Sequence, residues 1–94
     1  MKPILWDENK NLWLRNNDDR GGIGFEDCVI ALETGGLLDI LPNPSANHPD
    51  QRMFVLEVGD YVYCVPFVES ETHYFLKTLF PSRRHKAQYK DRRQ

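Results

Sequence analysis

Cysteine is scarce in this sequence, and long apolar runs are missing. The two cysteines among 94 residues, Cys28 and Cys64, are too few for a disulfide framework, and neither has a second cysteine or a histidine at zinc-binding spacing. Both lie in apolar stretches, so we expect buried, reduced thiols, with a reactive thiol or a rare disulfide as the alternative. No apolar run approaches the roughly 20 residues of a membrane span, and the first residues lack the apolar stretch of a signal peptide. The sequence therefore predicts a cytoplasmic, soluble protein without a membrane partner.

The length limits how much structure the chain can build. A domain of 94 residues buries about 60–65% of its unfolded surface, which suits one core. Two domains, a stacked solenoid or an enzyme with a deep cofactor cleft need a longer chain. The apolar share of 40% is too high for a disordered tail. We therefore expect a single domain over residues 1–94.

Neither charge sign is in strong excess, since 12 basic and 14 acidic residues leave a net charge of −2. The two halves differ: residues 1–47 carry a net charge of −4 and residues 48–94 a net charge of +2. Basic residues concentrate in residues 82–94, whose net charge is +5. A basic end on a mildly acidic protein is typical of phosphate or acidic-partner binding. A solvated, frayed terminus is the alternative interpretation.

Two helices are predicted in the first third of the chain. Asp7 is suited to cap a helix over residues 7–16, which ends at a polar, glycine-containing run. A second helix follows in residues 24–36, where a glycine pair ends it. Its apolar residues recur on one face: Phe25, Cys28, Val29 and Leu32.

The chain then changes to the pattern of a sheet. The short apolar run 37–41 predicts a strand, and the proline-rich residues 42–50 predict a loop. Runs 52–58 and 61–68 are rich in β-branched and aromatic residues, so they predict two strands joined by a tight turn.

A third hairpin-linked strand is predicted over residues 73–80, and Ser82 is suited to cap a basic terminal helix that reaches Tyr89 or Arg92. The predicted fold class is α+β: two N-terminal helices, an antiparallel meander of three to four strands and a C-terminal basic helix, with the helices on one sheet face. The residues predicted to form the core are Trp13, Phe25, Val29, Leu32, Val55, Val62 and Leu76.

Several kinds of catalytic site are not indicated. Gly21–Gly24 precedes a helix but follows no strand, and it lacks the Lys-Ser/Thr pair of a nucleotide-binding loop. The three histidines, His48, His73 and His85, are too far apart for close metal-ligand spacing. The serines lack a nucleophile-elbow context. We expect neither a metal site nor acyl-transfer chemistry.

Cations and hydroxyls near the predicted third strand are the candidates for chemistry. On an alternating strand His73 and Lys77 share one face, while Arg52 opens the first long strand. The terminal helix adds Arg83, Arg84, His85, Lys86 and Tyr89. Such a cluster suits RNA, because Arg and Lys hold phosphates and stabilise a pentacovalent phosphorus, while Tyr or His stacks on a base or moves a proton. A solvated sheet face and helix start are the alternative, and Glu57 and Glu69 are candidate general bases or salt-bridge partners.

Four segments occur in an order shared with a known family. They are Trp6-Asp7-Glu8-Asn9-Lys10-Asn11, Gly22-Ile23-Gly24-Phe25-Glu26-Asp27, Gln51-Arg52-Met53-Phe54-Val55 and Phe75-Leu76-Lys77-Thr78-Leu79-Phe80-Pro81-Ser82-Arg83-Arg84. In this order they resemble the BrnT ribonuclease toxins, members of the RelE-like group of bacterial type II toxin–antitoxin pairs. The matching family patterns are an opening Trp-Asp-x-x-Lys helix, a Gly-Val/Ile-Ser-Phe-Glu-Glu/Asp helix, a Glu/Gln-Arg-aromatic strand start and an Ile-Ser-Ala-Arg-Arg segment. Asp39 and His48 fall where the family has an Asp-rich loop.

The resemblance implies a RelE-like fold and metal-independent cleavage of RNA by its own 2′-hydroxyl, without a cofactor. It implies catalytic roles for Arg52, Lys77, Arg83 and Tyr89. The basic cluster adds Arg84, Lys86, His73 and His85 as residues expected to bind RNA. The expected partners are RNA and a cognate antitoxin that covers the basic face, with a homodimer or a hetero-oligomer with the antitoxin both open.

Two positions depart from the family pattern. The run His85-Lys86-Ala87-Gln88-Tyr89 lacks the Glu that family members have before their Tyr, and Gly24 stands where they have a helix-capping serine. The missing carboxylate leaves open a non-catalytic RNA- or protein-binding relative of the same fold. The resemblance leaves open a third function, a toxin that acts on a protein such as gyrase, as other members of the wider fold do.

Overall fold

The computed structural model of the protein describes residues 2–43 and 51–89. Its elements in chain order are β1 (Ile4–Trp6), α1 (Glu8–Arg15), a 3₁₀ turn (Asp18–Arg20), α2 (Phe25–Glu33), β2 (Leu37–Pro42), β3 (Gln51–Val58), β4 (Tyr61–Glu69), β5 (Tyr74–Leu76), β6 (Phe80–Pro81) and α3 (Arg83–Gln88). The α+β class is confirmed. Residues 44–50, which include His48, and residues 90–94, which include the predicted helix end at Arg92, lie outside the described residues.

The three helices begin where their capping residues predict. The Asp7 carboxylate accepts the backbone N–H of Asn9 at 2.8 Å and so caps α1. At the start of α2 the backbone N–H of Gly24 donates to the Asp27 carboxylate at 2.9 Å. The Ser82 hydroxyl accepts the backbone N–H of His85 at 3.2 Å and caps α3. These bonds satisfy donors that a helix leaves unpaired in its first turn.

The sheet has the strand order β1-β5-β4-β3-β2, with β6 also paired to β4. The predicted hairpin is present as β3 and β4, joined by a turn in which Gly59 has a φ of +63°. The prediction of a wholly antiparallel sheet is wrong, because β1 pairs with β5 in parallel. Three residues are too short a run to show a strand period in the sequence, so β1 was not predicted.

The two central strands are apolar on both faces, and each face has its own core. The face under α1 and α2 contains Leu14, Phe25, Cys28, Ala31, Phe54, Leu56, Tyr63, Val65, Phe67, Leu76 and Leu79. The opposite face contains Met53, Val55, Val62, Cys64 and Tyr89, the last at the end of α3. The prediction of helices on one sheet face is therefore wrong, because α3 covers the second face. The continuous apolar runs of β3 and β4 place apolar side chains on both faces, so both faces must be covered.

The predicted third strand is divided into β5 and β6 by residues 77–79. Arg20 supports this break, because its guanidinium donates to the carbonyl of Leu79 at 3.0 Å and to the Thr78 hydroxyl at 3.3 Å. The backbone N–H of Lys77 still donates to the carbonyl of Pro66 at 2.8 Å. Because the strand stops, the predicted alternation fails at Leu79, which lies in the core under α1 and α2.

Three predicted core residues are less buried than expected. Trp13 is 45% exposed, and its ring lies against the Lys10 ammonium at 4.2 Å and the Arg20 guanidinium at 5.2 Å. Val29 and Leu32 are half-buried. The other four, Phe25, Val55, Val62 and Leu76, are buried. Trp13 was misplaced because α1 presents Asn11 and Leu14 to the core instead.

Candidate functional site

A cleft of about 550 Å³ opens on the sheet face that α3 covers. Its floor includes Met53 of β3 and Cys64 and Pro66 of β4, which point to the same face because strand side chains alternate. Lys77, Thr78, Phe80 of β6 and the start of α3 form its walls. The cleft therefore combines an apolar floor with polar walls, as small-ligand sites commonly do.

Two cations, Lys77 and Arg84, line the cleft. Lys77 follows the last residue of β5, and its ammonium lies 5.7 Å from the centre of the Phe75 ring. Arg84 is an exposed residue in the first turn of α3. Because the two come from different walls of one cleft, an anion bound there would meet positive charge from two sides.

The imidazole of His85 also lines the cleft. Its Nδ1 is 2.7 Å from the Ser82 hydroxyl and 3.4 Å from the Cys64 sulfur. Burial lowers the pKa of His85 below its ordinary value, and the Arg84 guanidinium lowers it further, while the Asp39 carboxylate opposes the shift. A neutral imidazole at neutral pH is what a general base requires.

The ring of Tyr89 lies beside that of His85. The tyrosine is 2% exposed, its hydroxyl donates to the Asp39 carboxylate at 2.7 Å, and its ring is nearly parallel to the His85 ring at 6.5 Å between centres. Asp39 reaches this face because β2 shifts register between Leu37 and Asp39, which places Asp39 opposite Val55. Tyr89 is therefore placed to position the histidine, and its buried ring does not offer a surface for stacking on a base.

Both cysteines are buried, free thiols, as predicted. Burial raises the pKa of Cys28 to about 12. Burial also raises the pKa of Cys64, against smaller opposing effects of the Ser82 hydroxyl and Arg84. Since the thiolate is the reactive form, the Cys64 thiol is a neutral neighbour of His85 and a poor nucleophile.

The structure does not bring Arg52 to the cleft. Arg52 lies on the face of β3 shared with Phe54, where it pairs with the Glu69 carboxylate and lies 5.5 Å from the Phe67 ring. Lys2 also pairs with Glu69 at 2.6 Å. The bond from Lys2, followed by that from Arg52, holds the pKa of Glu69 below its ordinary value. Glu69 is therefore placed as an ion-pair partner.

The remaining predicted residues are spread around the cleft. Arg83 and Lys86 are on α3 without lining the cleft, and the Lys86 ammonium lies over the Tyr61 ring at 4.5 Å. His73 lies at the β4–β5 turn, where its Nδ1 is 2.9 Å from the Thr72 hydroxyl. Glu57 lines a separate pocket of about 140 Å³ near the β3–β4 turn. Of the eight predicted site residues, Lys77, Arg84 and His85 line the cleft.

Known proteins give no relative from which these roles could be transferred. No family model, curated protein or solved structure matches the chain. Within residues 2–43 and 51–89, no helix is long and apolar enough to cross a membrane, and no group of three His, Cys, Asp or Glu side chains is placed to hold a metal ion. The roles of the site residues therefore follow from geometry and chemistry.

Several cleft residues were not predicted from the sequence. Ser82 was expected to cap α3, but its contact with the His85 ring was not expected. Gln51, Asn43 and Phe80 also line the cleft. The sequence gives no sign that residues at such strand and loop positions line a cleft. The cleft forms only when β6 and α3 pack on the second sheet face.

Proposed function

We propose that this protein is the toxin of a type II toxin–antitoxin pair, with a BrnT-like, RelE-like arrangement, and that it cleaves RNA in the cytoplasm and so inhibits translation and growth. The observation that carries the proposal is the placement of His85, Lys77 and Arg84 around one cleft. A base and two cations are the groups that RNA cleavage by its own 2′-hydroxyl requires. The order of motifs that resembles the BrnT toxins supports the same function.

In the proposed reaction the 2′-oxygen of one nucleotide attacks the adjacent phosphorus. The His85 imidazole takes the proton of that hydroxyl, the new bond to phosphorus forms, and the bond to the 5′-oxygen of the next nucleotide breaks. The departing 5′-oxygen takes a proton from solvent. The His85 imidazolium later releases to solvent the proton that it accepted. The products are a 2′,3′-cyclic phosphate and a 5′-hydroxyl end, and no cofactor takes part.

Lys77 and Arg84 stabilise the extra negative charge on the phosphorane oxygens in this scheme. The tautomer of His85 in which Nδ1–H donates to the Ser82 hydroxyl leaves the Nε2 lone pair to act as the base. Arg83 and Lys86, on the same helix, are available to hold phosphates that flank the cleft. Tyr89 is a positioning residue for His85, through the parallel rings and the Asp39 bond.

The proposal includes a partner for the α3 face. A cognate antitoxin with acidic side chains would meet the cations of α3 and close the cleft to RNA. Such a complex is a hetero-oligomer, and a homodimer of the toxin is compatible with it. The partner follows from the resemblance and from the basic charge of α3.

The test is cleavage of a short single-stranded RNA by the purified chain in the presence of a metal chelator. We expect His85→Ala to lower the rate by about 10²- to 10⁴-fold, as loss of a general base does. Lys77→Ala and Arg84→Ala should also lower it, while Lys10→Ala, which removes a cation on the other side of the sheet, should not. Intact RNA with the wild-type chain, together with normal growth of bacteria that express it, would contradict the proposal.

One observation favours a second candidate, an RNA- or protein-binding relative without catalysis. Tyr89 is buried and bonded to Asp39, and α3 carries no carboxylate before it. Tyr89 is therefore not available as a second proton-transfer group, and α3 has no carboxylate to take that role. Binding of RNA that weakens with added salt, without any strand scission, would support this candidate over the ribonuclease.

A further inference from the structure

Phe80 has an aromatic ring without an aromatic or cationic neighbour. All Phe, Tyr and Trp residues of the chain lie within the described residues. All of them except Phe80 have a second ring or a cation beside them: Trp6, Trp13, Phe25, Phe54, Tyr61, Tyr63, Phe67, Tyr74, Phe75 and Tyr89. Phe80 is also 36% exposed, so its ring is available to a bound molecule.

Strand pairing holds this ring in the cleft. Phe80 pairs opposite Cys64 on the cleft floor, and paired residues of neighbouring strands point to the same face. After Phe80, the backbone N–H of Ser82 donates to the Val62 carbonyl at 2.9 Å. Before it, the Arg20 guanidinium donates to the preceding carbonyl at 3.0 Å. The backbone around the ring is therefore fixed before a ligand binds, which lowers the entropy lost on binding.

Positive charge lies in the same cleft as the ring. Lys77 comes from the segment before Phe80, and Arg84 from the helix after it. A ligand that uses both features has a planar apolar ring and a negative charge. A nucleotide has these two parts, and the cleft volume of about 550 Å³ lies within the roughly 300–1,000 Å³ of small-ligand sites. Aromatic side chains beside cations are the usual platforms for unpaired RNA bases.

The polar groups of the cleft do not select one base. Gln51 and Asn43 line it, and their side-chain amides both donate and accept hydrogen bonds. Every unpaired base also has a donor beside an acceptor on its pairing edge, and every base has a π face that stacks on an aromatic ring. A base within a duplex is already stacked between its neighbours, so it must leave the helix to reach Phe80. The cleft therefore suits any base that is unpaired.

We propose that Phe80 is the stacking platform for one unpaired base of single-stranded RNA, whichever base it is, while Lys77 and Arg84 hold the phosphate beside that base. This inference rests on the proposed function, to which it adds the residue that binds the base and the requirement for an unpaired strand. Phe80 is a binding residue in this scheme and takes no part in proton transfer.

The test compares tetranucleotides that carry bases with a tetranucleotide that lacks them. The probes are 2′-O-methyl tetramers of A, C or U and a 2′-O-methyl tetramer of the same backbone without bases. None of these can be cleaved, because the attacking hydroxyl is blocked. We expect the wild-type chain to bind the A, C and U tetramers with affinities within about 10-fold of one another. It should bind the base-free tetramer about 5- to 150-fold more weakly, the range that one stacked base supplies.

Variants show whether Phe80 is the source of this difference. Phe80→Leu keeps an apolar side chain without the ring, so it should bind the tetramers with bases about 5-fold or more weakly and the base-free tetramer as wild type does. Phe80→Trp should restore the affinity for bases. Trp13→Leu removes an exposed ring on the other side of the sheet and should change neither affinity. Thermal melting shows whether each variant is folded.

The outcomes distinguish this inference from the proposed function. The stacking site is overturned if wild type binds tetramers with and without bases equally, if Phe80→Leu weakens both equally, or if duplex RNA binds as tightly as the single strand. Cleavage of 2′-hydroxyl RNA alongside any of these results leaves the ribonuclease standing. Base-dependent binding through Phe80 without cleavage supports the site and overturns the ribonuclease. A folded wild-type chain that neither binds nor cleaves RNA overturns both.

Discussion

His85 is surrounded by a hydroxyl, a thiol and a guanidinium, and these neighbours and its burial decide how readily its imidazole takes a proton. The sequence suggested that this histidine meets RNA, but its neighbours come from β4 and β2 as well as from α3. Arg52 shows the reverse case. The motif order implied a catalytic cation there, yet strand alternation places its side chain on the opposite sheet face from Lys77. The sequence therefore indicated the residue types of the candidate site, but it did not indicate which of those residues the fold brings together.

We predict that His85 titrates below the ordinary value of 6.5 when its ring protons are followed by NMR. Arg84→Gln should raise the pKa of His85, because a nearby cation disfavours the imidazolium, and Asp39→Asn should lower it, because a nearby carboxylate favours it. Lys10→Gln, on the other side of the sheet, serves as the control. Because the unfolded chain takes up this proton first, the free energy of unfolding should fall as the pH drops below about 6.5. A His85 pKa at or above 6.5 would show that desolvation and the Arg84 guanidinium do not outweigh the Asp39 carboxylate.

At the scale of elements, caps and hydrophobic period predicted most of the helices and long strands. The boundaries of α1, α2, β3 and β4 fall within a few residues of the predicted ones. The division of the last strand was not predictable, because it depends on Arg20, which is distant in sequence and supplies the bonds to Thr78 and Leu79. This break also moves Lys77 out of the sheet and into the cleft wall. The unpredicted break thus supplies one wall of the candidate site.

Helices α1 and α2 are held together by a buried asparagine. Asn11 is 2% exposed, donates to both Glu26 carboxylate oxygens at 2.9 Å and accepts the backbone N–H of Phe25 at 2.7 Å. The Asn11 amide, followed by Arg15, lowers the pKa of Glu26. The contribution of this contact to stability is therefore full above the ordinary pKa of a glutamate, and it is lost as the pH falls through the lowered pKa of the folded state. A buried polar side chain of α1 therefore connects it directly to the first turn of α2.

We predict that Asn11→Ala lowers the free energy of unfolding by about 1–3 kcal/mol, because the Phe25 N–H is left buried without an acceptor. Leu12→Ala is the matched control on the same helix. Leu12 is 57% exposed, so its truncation should change stability by less than about 0.5 kcal/mol. Urea denaturation of the three proteins at neutral pH measures both effects. Equal stabilities for Asn11→Ala and wild type would mean that water or a rearranged side chain replaces the amide.

At the scale of the whole molecule, charge is segregated across the sheet. Residues 7–33, which contain α1 and α2, have seven acidic and three basic residues, whereas α3 has three basic and no acidic residues. The sequence showed this asymmetry along the chain. The fold converts it into a difference between two faces, since α1 and α2 cover one face and α3 the other. An acidic side and a basic cleft orient a polyanion toward the cleft although the net charge of the chain is −2.

This segregation predicts how the proposed binding of RNA depends on salt concentration. Each phosphate neutralised in a single strand contributes about 0.7 to the slope of log affinity against log salt concentration. Arg84→Ala should reduce that slope by about 0.7, because it removes a cleft cation, and Lys10→Ala on the acidic side should leave it unchanged. Fluorescence anisotropy with 2′-O-methyl RNA at several salt concentrations measures the slope without cleavage. If Lys10→Ala reduced the slope as much as Arg84→Ala, RNA would be bound by charge distributed over the whole surface, and the cleft would have no special share in holding phosphates.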